Sequence, residues 1–416
     1  MCVRQSGDNT GSIGETPAGL DIKLAEADDL ARICPEQWDA LSNNALDPNP
    51  FYSRRYMAAG LATIDRDMRL RALTVHSAEG RLVGFFPFRL SRFPVQVAIG
   101  ATNIYQMSGQ PLIHREHAAD VIAAWFEAMQ AGRIPRRWRF PHVDLGSGFA
   151  ELCRRHLRDA RFDLTPLTRY QRARLRRLSG GFEAHVKTVL SRSRAKDIQR
   201  TLRRLQEAGE VEFERATEPG HVRQRVEDFL VMEHGGWKGE AGTSFLSDPE
   251  HARFLRAALH ANETVSTDSL LLDGRPIAVS INLEAAGTMF TPKCAYDETY
   301  RRFSPGLILE YLVIEAFYDR DDAAEMDAAT TASGHLVQGL WNDERAMGMV
   351  MVGPQDVQTR LAAQCYLAAV QARALAKAFV GGRLVSVFRR LRRINPELWQ
   401  RLTSFGQGAT CLILYI

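Results

Sequence analysis

The 416 residues, 45% hydrophobic and 25% charged, carry a formal net charge of only +4. That is the mix of an ordinary globular chain too long for one core, and it makes no global case for nucleic acid, so any basic signal must be local. None of the six cysteines (Cys2, Cys34, Cys153, Cys294, Cys365, Cys411) lies in a CxxC or near a histidine at zinc-ligand spacing, and no uncharged apolar run is long enough to span a bilayer. This argues against metal, disulfide and transmembrane frameworks. The amino terminus lacks the apolar core of a signal peptide, so the expected compartment is the cytoplasm.

Residues 1–19, rich in Gly, Ser, Thr and Asn, read as a flexible tail. A first domain is expected over 20–165. Within it Pro35–Leu41 and Ser53–Thr63 suggest helices separated by the Pro48-Asn49-Pro50 break. Leu70–His76 and Leu82–Phe88 are β-rich runs around Glu79-Gly80-Arg81, a hairpin signal. Val95–Ile99 and Tyr105–Ile113 read as extended, Ala118–Met129 as a helix, Trp138–Leu145 as a strand and Gly148–Arg158 as a helix. Strands alternating with helices and hairpins point to an α/β or α+β domain.

A second domain is expected over 166–355. From Leu167 to Ala208 there are twelve Arg or Lys against three acidic residues. Ile198, Leu202 and Leu205 follow the spacing of a buried helical stripe, while Arg192, Lys196, Arg200 and Arg203 recur on the other side. Such a face is either simply solvated or a clamp for phosphate or carboxylate, to which guanidinium forks are suited. Val211–Arg215 reads as a strand and Gln224–Glu233 as a helix. His234-Gly235-Gly236-Trp237-Lys238-Gly239 then opens a glycine-rich loop before a helix starting at Ser247-Asp248-Pro249.

The stretch from Leu270 to Glu315 is the most informative. Asp273-Gly274 turns Leu270–Leu272 into the return strand Ile277–Leu283, and Met289–Ala295 is a third strand. Tyr300-Arg301-Arg302-Phe303-Ser304-Pro305-Gly306 leads into a helical pattern, with Ser304 as N-cap and Pro305 at the first helical position. A strand delivering basic residues and a small-residue turn to a helix start can form an anion site, because free N–H groups and the helix dipole converge there. Ala324–Ala329 is expected as a strand, Leu336–Arg345 as a helix, and 356–416 as a helical extension with basic Arg389, Arg390, Arg392 and Arg393.

In order, SRSRAKDIQRTLRRLQEAGEVEFE, EHGGWKGEAGTSFLSDPEHARFL, LDGRPIAVSINL and KCAYDETYRRFSPGLILEYLVIEA resemble the CelD-like group of GNAT-superfamily acyltransferases, associated with cellulose and exopolysaccharide biosynthesis. The likeness spans about residues 180–345. DALSNNALDPNPFYSRRYMAAG and GRLVGFFPFRL are similar to the group's amino-terminal half, and the whole is more distantly similar to Fem-type aminoacyl transferases built from tandem GNAT-like domains.

The resemblance implies two tandem GNAT-like domains with mixed, largely antiparallel sheets flanked by helices. It also implies transfer of an acyl group, acetyl above all, from acetyl-CoA or another acyl-CoA to an amine or hydroxyl of a small-molecule or saccharide acceptor, without a metal. By the GNAT pattern Arg301, Arg302, Ser304 and Gly306 occupy the place of the CoA pyrophosphate loop, although Pro305 removes one N–H donor.

Thioester attack needs a base and an oxyanion partner. Asp297, Glu298, Glu310 and Asp327 are candidate bases, and Lys293 and Tyr296 candidate donors. Trp237 and Lys238, with Arg192, Lys196, Arg200 and Arg203, are candidate substrate-binding residues. The alternatives are Fem-like transfer from aminoacyl-tRNA, with the cationic helix holding RNA or a nucleotide sugar, and a non-catalytic accessory of the exopolysaccharide machinery.

Overall fold

The computed structural model describes residues 11–15, 19–157, 161–260, 262–331, 337 and 339–381. The expected basic helix around Arg389–Arg393 and most of the expected amino-terminal tail lie outside them. Residues up to Ser91 together with Gln96–Pro354 make one compact unit.

The amino-terminal half of that unit holds β1 (Gly11–Glu15), β2 (Asp21–Glu26), β3 (Leu70–His76), β4 (Leu82–Ser91), β5 (Val97–Gly100), β6 (Leu112–Ile113), β7 (Trp138–Asp144) and β8 (Phe162–Pro166). Its helices are α1 (Ala27–Leu30), α2 (Pro35–Asn43), α3 (Arg54–Ala62), α4 (Ala118–Gln130) and α5 (Gly148–Leu157). Helix α4 is apolar on most of its surface and buries Val121, Ile122, Trp125, Phe126 and Met129 against Phe86, Trp138 and Phe140 of the sheet. The span expected to be extended from Tyr105 forms strand only at Leu112–Ile113. The rest is an irregular loop carrying Tyr105, Met107 and Gly109.

The carboxy-terminal half begins with β9 (Tyr170–Arg176), α6 (Gly181–Val189) and α7 (Arg192–Gln206). It continues through β10 (Val211–Ala216), α8 (Pro219–Gly235), α9 (Trp237–Glu240), α10 (Pro249–Leu259), β11 (Val265–Leu272), β12 (Arg275–Ala285) and β13 (Thr288–Tyr296). A 3-10 turn at Glu298–Phe303 leads to α11 (Pro305–Tyr318), β14 (Glu325–Asp327) and β15 (Asp343–Pro354). Every residue of β11 is buried, as expected of a central strand with helices on both faces. The β11–β12 hairpin turns at Asp273 and Gly274, whose φ values of 51° and 73° are those of the turn that Asp-Gly favours.

The strands join in one mixed, largely antiparallel sheet, in the order β1-β2-β3-β4-β5-β7-β15-β9-β14-β13-β12-β11-β10. This is the expected fold class. The pairs β5–β7 and β13–β14 run parallel, one in each half.

Strand β15 stitches the halves together: Asp343–Met347 pairs with β9, and Met347–Pro354 with β7 and β8. The expected Leu336–Arg345 helix lies partly outside the described residues, its first residue included, and is corrected at its end, where Asp343, Glu344 and Arg345 begin this strand. Their helix preference is overridden by ladder bonds on both sides and by burial of Met347, Val350 and Val352.

Among the described residues, Arg92–Val95 and those from Gln355 to Gly381 belong to a second unit, in which α12 (Val357–Gly381) is a long helix with Val357, Leu361 and Leu375 exposed. No described helix is long and apolar enough to cross a membrane.

Candidate functional site

Strand β13 meets β14 only through Thr288, Met289 and Phe290, opposite Glu325, Met326 and Asp327. Beyond that the two part, and among the described residues no strand pairs with Thr291–Tyr296 on that side. A bulge marks the parting: Ile281 faces Lys293 and Leu283 faces Phe290, so Thr291 and Pro292 together stand opposite Asn282. Bulges bend a strand and re-aim its side chains, and a proline without an N–H is tolerated where ladder bonding stops.

The residues that follow point alternately to the two faces. Lys293 faces α8 and α10, its Nζ 5.1 Å from the ring centre of Tyr105 and 5.4 Å from that of Phe245. Desolvation there pulls the ammonium down to about 8, helped by the nearby charge of Lys238 and opposed by that of Glu233. Lys238 donates to Glu233 Oε1 at 2.7 Å, and Glu233 Oε2 accepts the Phe245 N–H at 2.9 Å. Trp237 stands 64% exposed beside them, its backbone N–H donating to Glu298 Oε1 at 3.0 Å. Glu298 thereby ties the α8–α9 corner to the turn ahead of α11.

Across the strand, Cys294 neighbours Glu310, which projects from the second turn of α11. Burial raises the Glu310 carboxyl to about 7; the Trp341 indole N–H, 2.6 Å from Oε1, moderates the rise and the charge of Asp268 adds to it. Asp268 is itself fully buried, fixed by both guanidinium arms of Arg215 at 2.7 and 2.8 Å and by Asn282 at 2.8 Å. A lysine and a carboxyl that both titrate near neutrality thus flank one short length of strand, the state suited to moving protons at ordinary pH.

Other expected site residues have different surroundings. Asp297 caps the 3-10 turn, accepting from the Thr299 N–H and hydroxyl at 2.9 and 2.8 Å, and Tyr296 packs half-buried against the core under α11. Ser304 is the N-cap, as expected, but its side chain makes no cap hydrogen bond. It sits in the left-handed region (φ 48°, ψ 54°) with its carbonyl accepting the Leu307 and Ile308 N–H groups. Since Pro305 has no N–H and Gly306 is buried, this helix start offers few amides to an anion.

Charge is nonetheless concentrated there. Arg301 and Arg302 are exposed, and α7 packs beside their turn. Helix α7 is capped by Ser191, buries Ile198 and Leu205, and presents Arg192, Lys196, Arg200 and Arg203 to solvent. Arg200 pairs within its own helix to Asp197 at 2.9 Å.

Asp327 is set apart from Lys293. It and Arg172 are each 1% exposed and lie 3.5 Å apart, and Arg345 Nε approaches the other carboxylate oxygen at 3.5 Å. Arg172 also donates to the Met107 and Thr330 carbonyls and to Tyr170, whose hydroxyl meets His142. Sequence reasoning passed over Glu233, Tyr105 and Phe245. Tyr105 comes from the other half of the chain, stacked between Phe245 and Phe254, and no local pattern announces such a contact.

Residues 192–335 match the family described as an acetyltransferase (GNAT) domain, the segment that carries α7, β13, the basic turn, α11 and β14. No curated protein matches the chain in sequence. Among solved structures, FemX is similar over 80% of this chain and 98% of its own, with a TM-score of 0.52 at 10% identity. A conserved protein of unknown function from Bacteroides thetaiotaomicron is similar over 77% and 97%, with a TM-score of 0.48 at 10% identity. A tandem GNAT protein from the clavulanic acid biosynthesis pathway is similar over 80% and 100%, with a TM-score of 0.36 at 14% identity. At 10% identity the likeness to FemX speaks to fold alone, and the GNAT acyltransferase-like character rests on the family match over residues 192–335.

Proposed function

We propose that the chain transfers an acyl group, acetyl foremost, from a CoA thioester to an amine or hydroxyl, and that the thioester lies along the open half of β13. The observation that carries this reading is the parting of β13 from β14 beside two groups poised near neutrality. Glu310 takes the proton from the attacking acceptor, since a base of pKa about 7 is half ionised at neutral pH. Lys293, still largely an ammonium below pH 8, sits where it stabilises the oxyanion that forms as the carbonyl is attacked. The CoA phosphates would rest on guanidinium groups, Arg301, Arg302 and those of α7, in place of an amide cradle. Trp237 and Lys238 would form the acceptor side, where an exposed indole can stack on a sugar ring.

The resemblance to the CelD-like group supports a saccharide or cell-envelope acceptor and work alongside exopolysaccharide machinery. The exposed cationic face of α7 favours a second reading, Fem-type transfer from aminoacyl-tRNA. A third is a GNAT-fold accessory without catalysis. Thermal-shift titrations of the full chain with CoA, acetyl-CoA, a UDP-sugar and tRNA discriminate among them, because a ligand that binds only the folded state raises the melting temperature. The first reading expects stabilisation by CoA and acetyl-CoA. Stabilisation by tRNA or UDP-sugar alone would replace it with the second, and indifference to all four would leave the third.

A further inference from the structure

Helix α7 concentrates positive charge in a chain whose net charge is only +4. Arg192, Lys196, Arg200, Arg203 and Arg204 stand exposed along one side, opposite the buried Ile198 and Leu205. The one acid of the helix, Asp197, is taken by Arg200 at 2.9 Å, and Glu207 follows only at the C-cap. Among the described residues no carboxylate pairs with Arg192, Lys196, Arg203 or Arg204. The charged surface continues past the helix. Helix α7 packs beside the 298–303 turn, where Arg301 and Arg302 are exposed, and Glu298 of that turn accepts the Trp237 N–H at 3.0 Å. At this corner the indole of Trp237 is 64% exposed and Val231, in the last turns of α8, 66%.

A single CoA carries too few phosphate charges to neutralise the turn and the helix together, so the surface suits a more extended polyanion. The exposed apolar groups decide which kind. Nucleic acid could stack on the indole but offers no apolar phase to Val231. The edge of an anionic bilayer accepts both, with tryptophan at the interface and guanidinium groups on the lipid phosphates. We infer that this face docks the protein onto an anionic membrane surface, α7 resting on the headgroups by its cationic side while Trp237 and Val231 enter the interface. The apolar residues of α7 are buried in the protein core, so the helix lies on the lipid rather than in it. Docked in this way, the Trp237–Lys238 side of the open strand meets acceptors carried in the leaflet. That consequence rests on the transfer reading above, whereas the docking itself does not.

Co-sedimentation of the full chain with lipid vesicles tests this. Binding is expected to vesicles of equal parts phosphatidylcholine and phosphatidylglycerol and not to phosphatidylcholine alone. It should weaken in about 1 M salt, where the screening length falls to about 3 Å. Each basic residue near an anionic leaflet strengthens binding roughly fivefold, so Lys196→Gln, Arg203→Gln and Arg204→Gln together should weaken it roughly a hundredfold. Trp237→Ala should weaken it less and keep the preference for anionic lipid. Arg69→Gln, Arg115→Gln and Arg136→Gln remove the same charge from exposed positions of the amino-terminal half and should bind nearly as the parent does. Melting curves establish that each variant is folded. Failure to bind the mixed vesicles, equal binding to both compositions, or an equal loss in the amino-terminal triple variant overturns the membrane face. Binding of tRNA that the α7 triple variant abolishes, with the mixed vesicles left unbound, overturns it too and gives the surface to RNA.

Discussion

Where β5 and β7 run parallel in the amino-terminal half, the chain closes its own seam: the 101–111 loop returns, and the Gly109 N–H donates to the Pro141 carbonyl at 2.9 Å. The fit leaves no room, since a Cβ on Gly109 would meet Pro141 Cδ and O at 2.7 Å, and Arg172 clamps the same loop through the Met107 carbonyl at 2.6 Å. Where β13 and β14 run parallel in the other half, no described strand or loop backbone takes that place, and the bare length of strand is flanked by Lys293 and Glu310. Two similar seams thus end differently, one closed by packing and one left open beside titratable side chains. What separates them is a tight glycine contact in one and titratable side chains in the other.

The contrast can be broken at its strongest point first. Asp327→Ala should leave Arg172 and Arg345 facing a buried void of charge, and removing one member of such a group costs about 3–5 kcal/mol. Urea unfolding is expected to show a midpoint lowered accordingly, and a variant as stable as the parent would mean the cluster holds nothing together. Lys293→Ala should do the reverse, lowering acyl transfer roughly 10²–10³-fold, about 2.7–4 kcal/mol of transition-state stabilisation, with melting barely changed. Equal loss of turnover and stability would make Lys293 a packing residue.

A change in the closed seam comes next. Gly109→Ala should cost about 1–3 kcal/mol through overpacking against Pro141, read in the same unfolding assay, with turnover per folded molecule unchanged. The smallest effect is a pH profile. Glu310 has a raised pKa, so the base is lost as pH falls through about 7, and turnover should decline below that point. The same shift means that the folded state binds the Glu310 proton more tightly than the unfolded state does. Its contribution to stability is therefore present below the unfolded pKa and lost as pH rises through about 7. Glu310→Gln should flatten both dependences; an unchanged acid limb would assign the titration elsewhere.

Much of the framework could be read from local chemistry. Asp273-Gly274 located the β11–β12 hairpin, the apolar run placed α4 as expected, and the basic stripe of α7 faces solvent as its spacing required. Lys293 was legible as a candidate donor on the Met289–Ala295 strand. What sequence could not convey was arrangement at a distance. Strand β15 is helix-preferring at its start and becomes a strand only because β7, β8 and β9 wait to pair with it. Ser304 holds the N-cap position ahead of Pro305 as expected, but in the left-handed region and without a side-chain cap bond. Tyr105 and Phe245 build the surroundings of Lys293 from the two halves of the unit, and Glu233 is a buried acid whose partner, Lys238, is fixed by the bend between α8 and α9.

The placement of β15 also governs how the chain is made. Strand β7 ends at Asp144, yet its outer edge and the whole of β8 stay unpaired until Met347–Pro354 leave the ribosome. At about 5–20 residues per second that interval lasts on the order of ten seconds or more. Throughout it the nascent chain shows a bare edge of the kind that recruits foreign strands. A ribosome stalled or a message truncated before β15 would therefore release an aggregation-prone fragment rather than a smaller working unit.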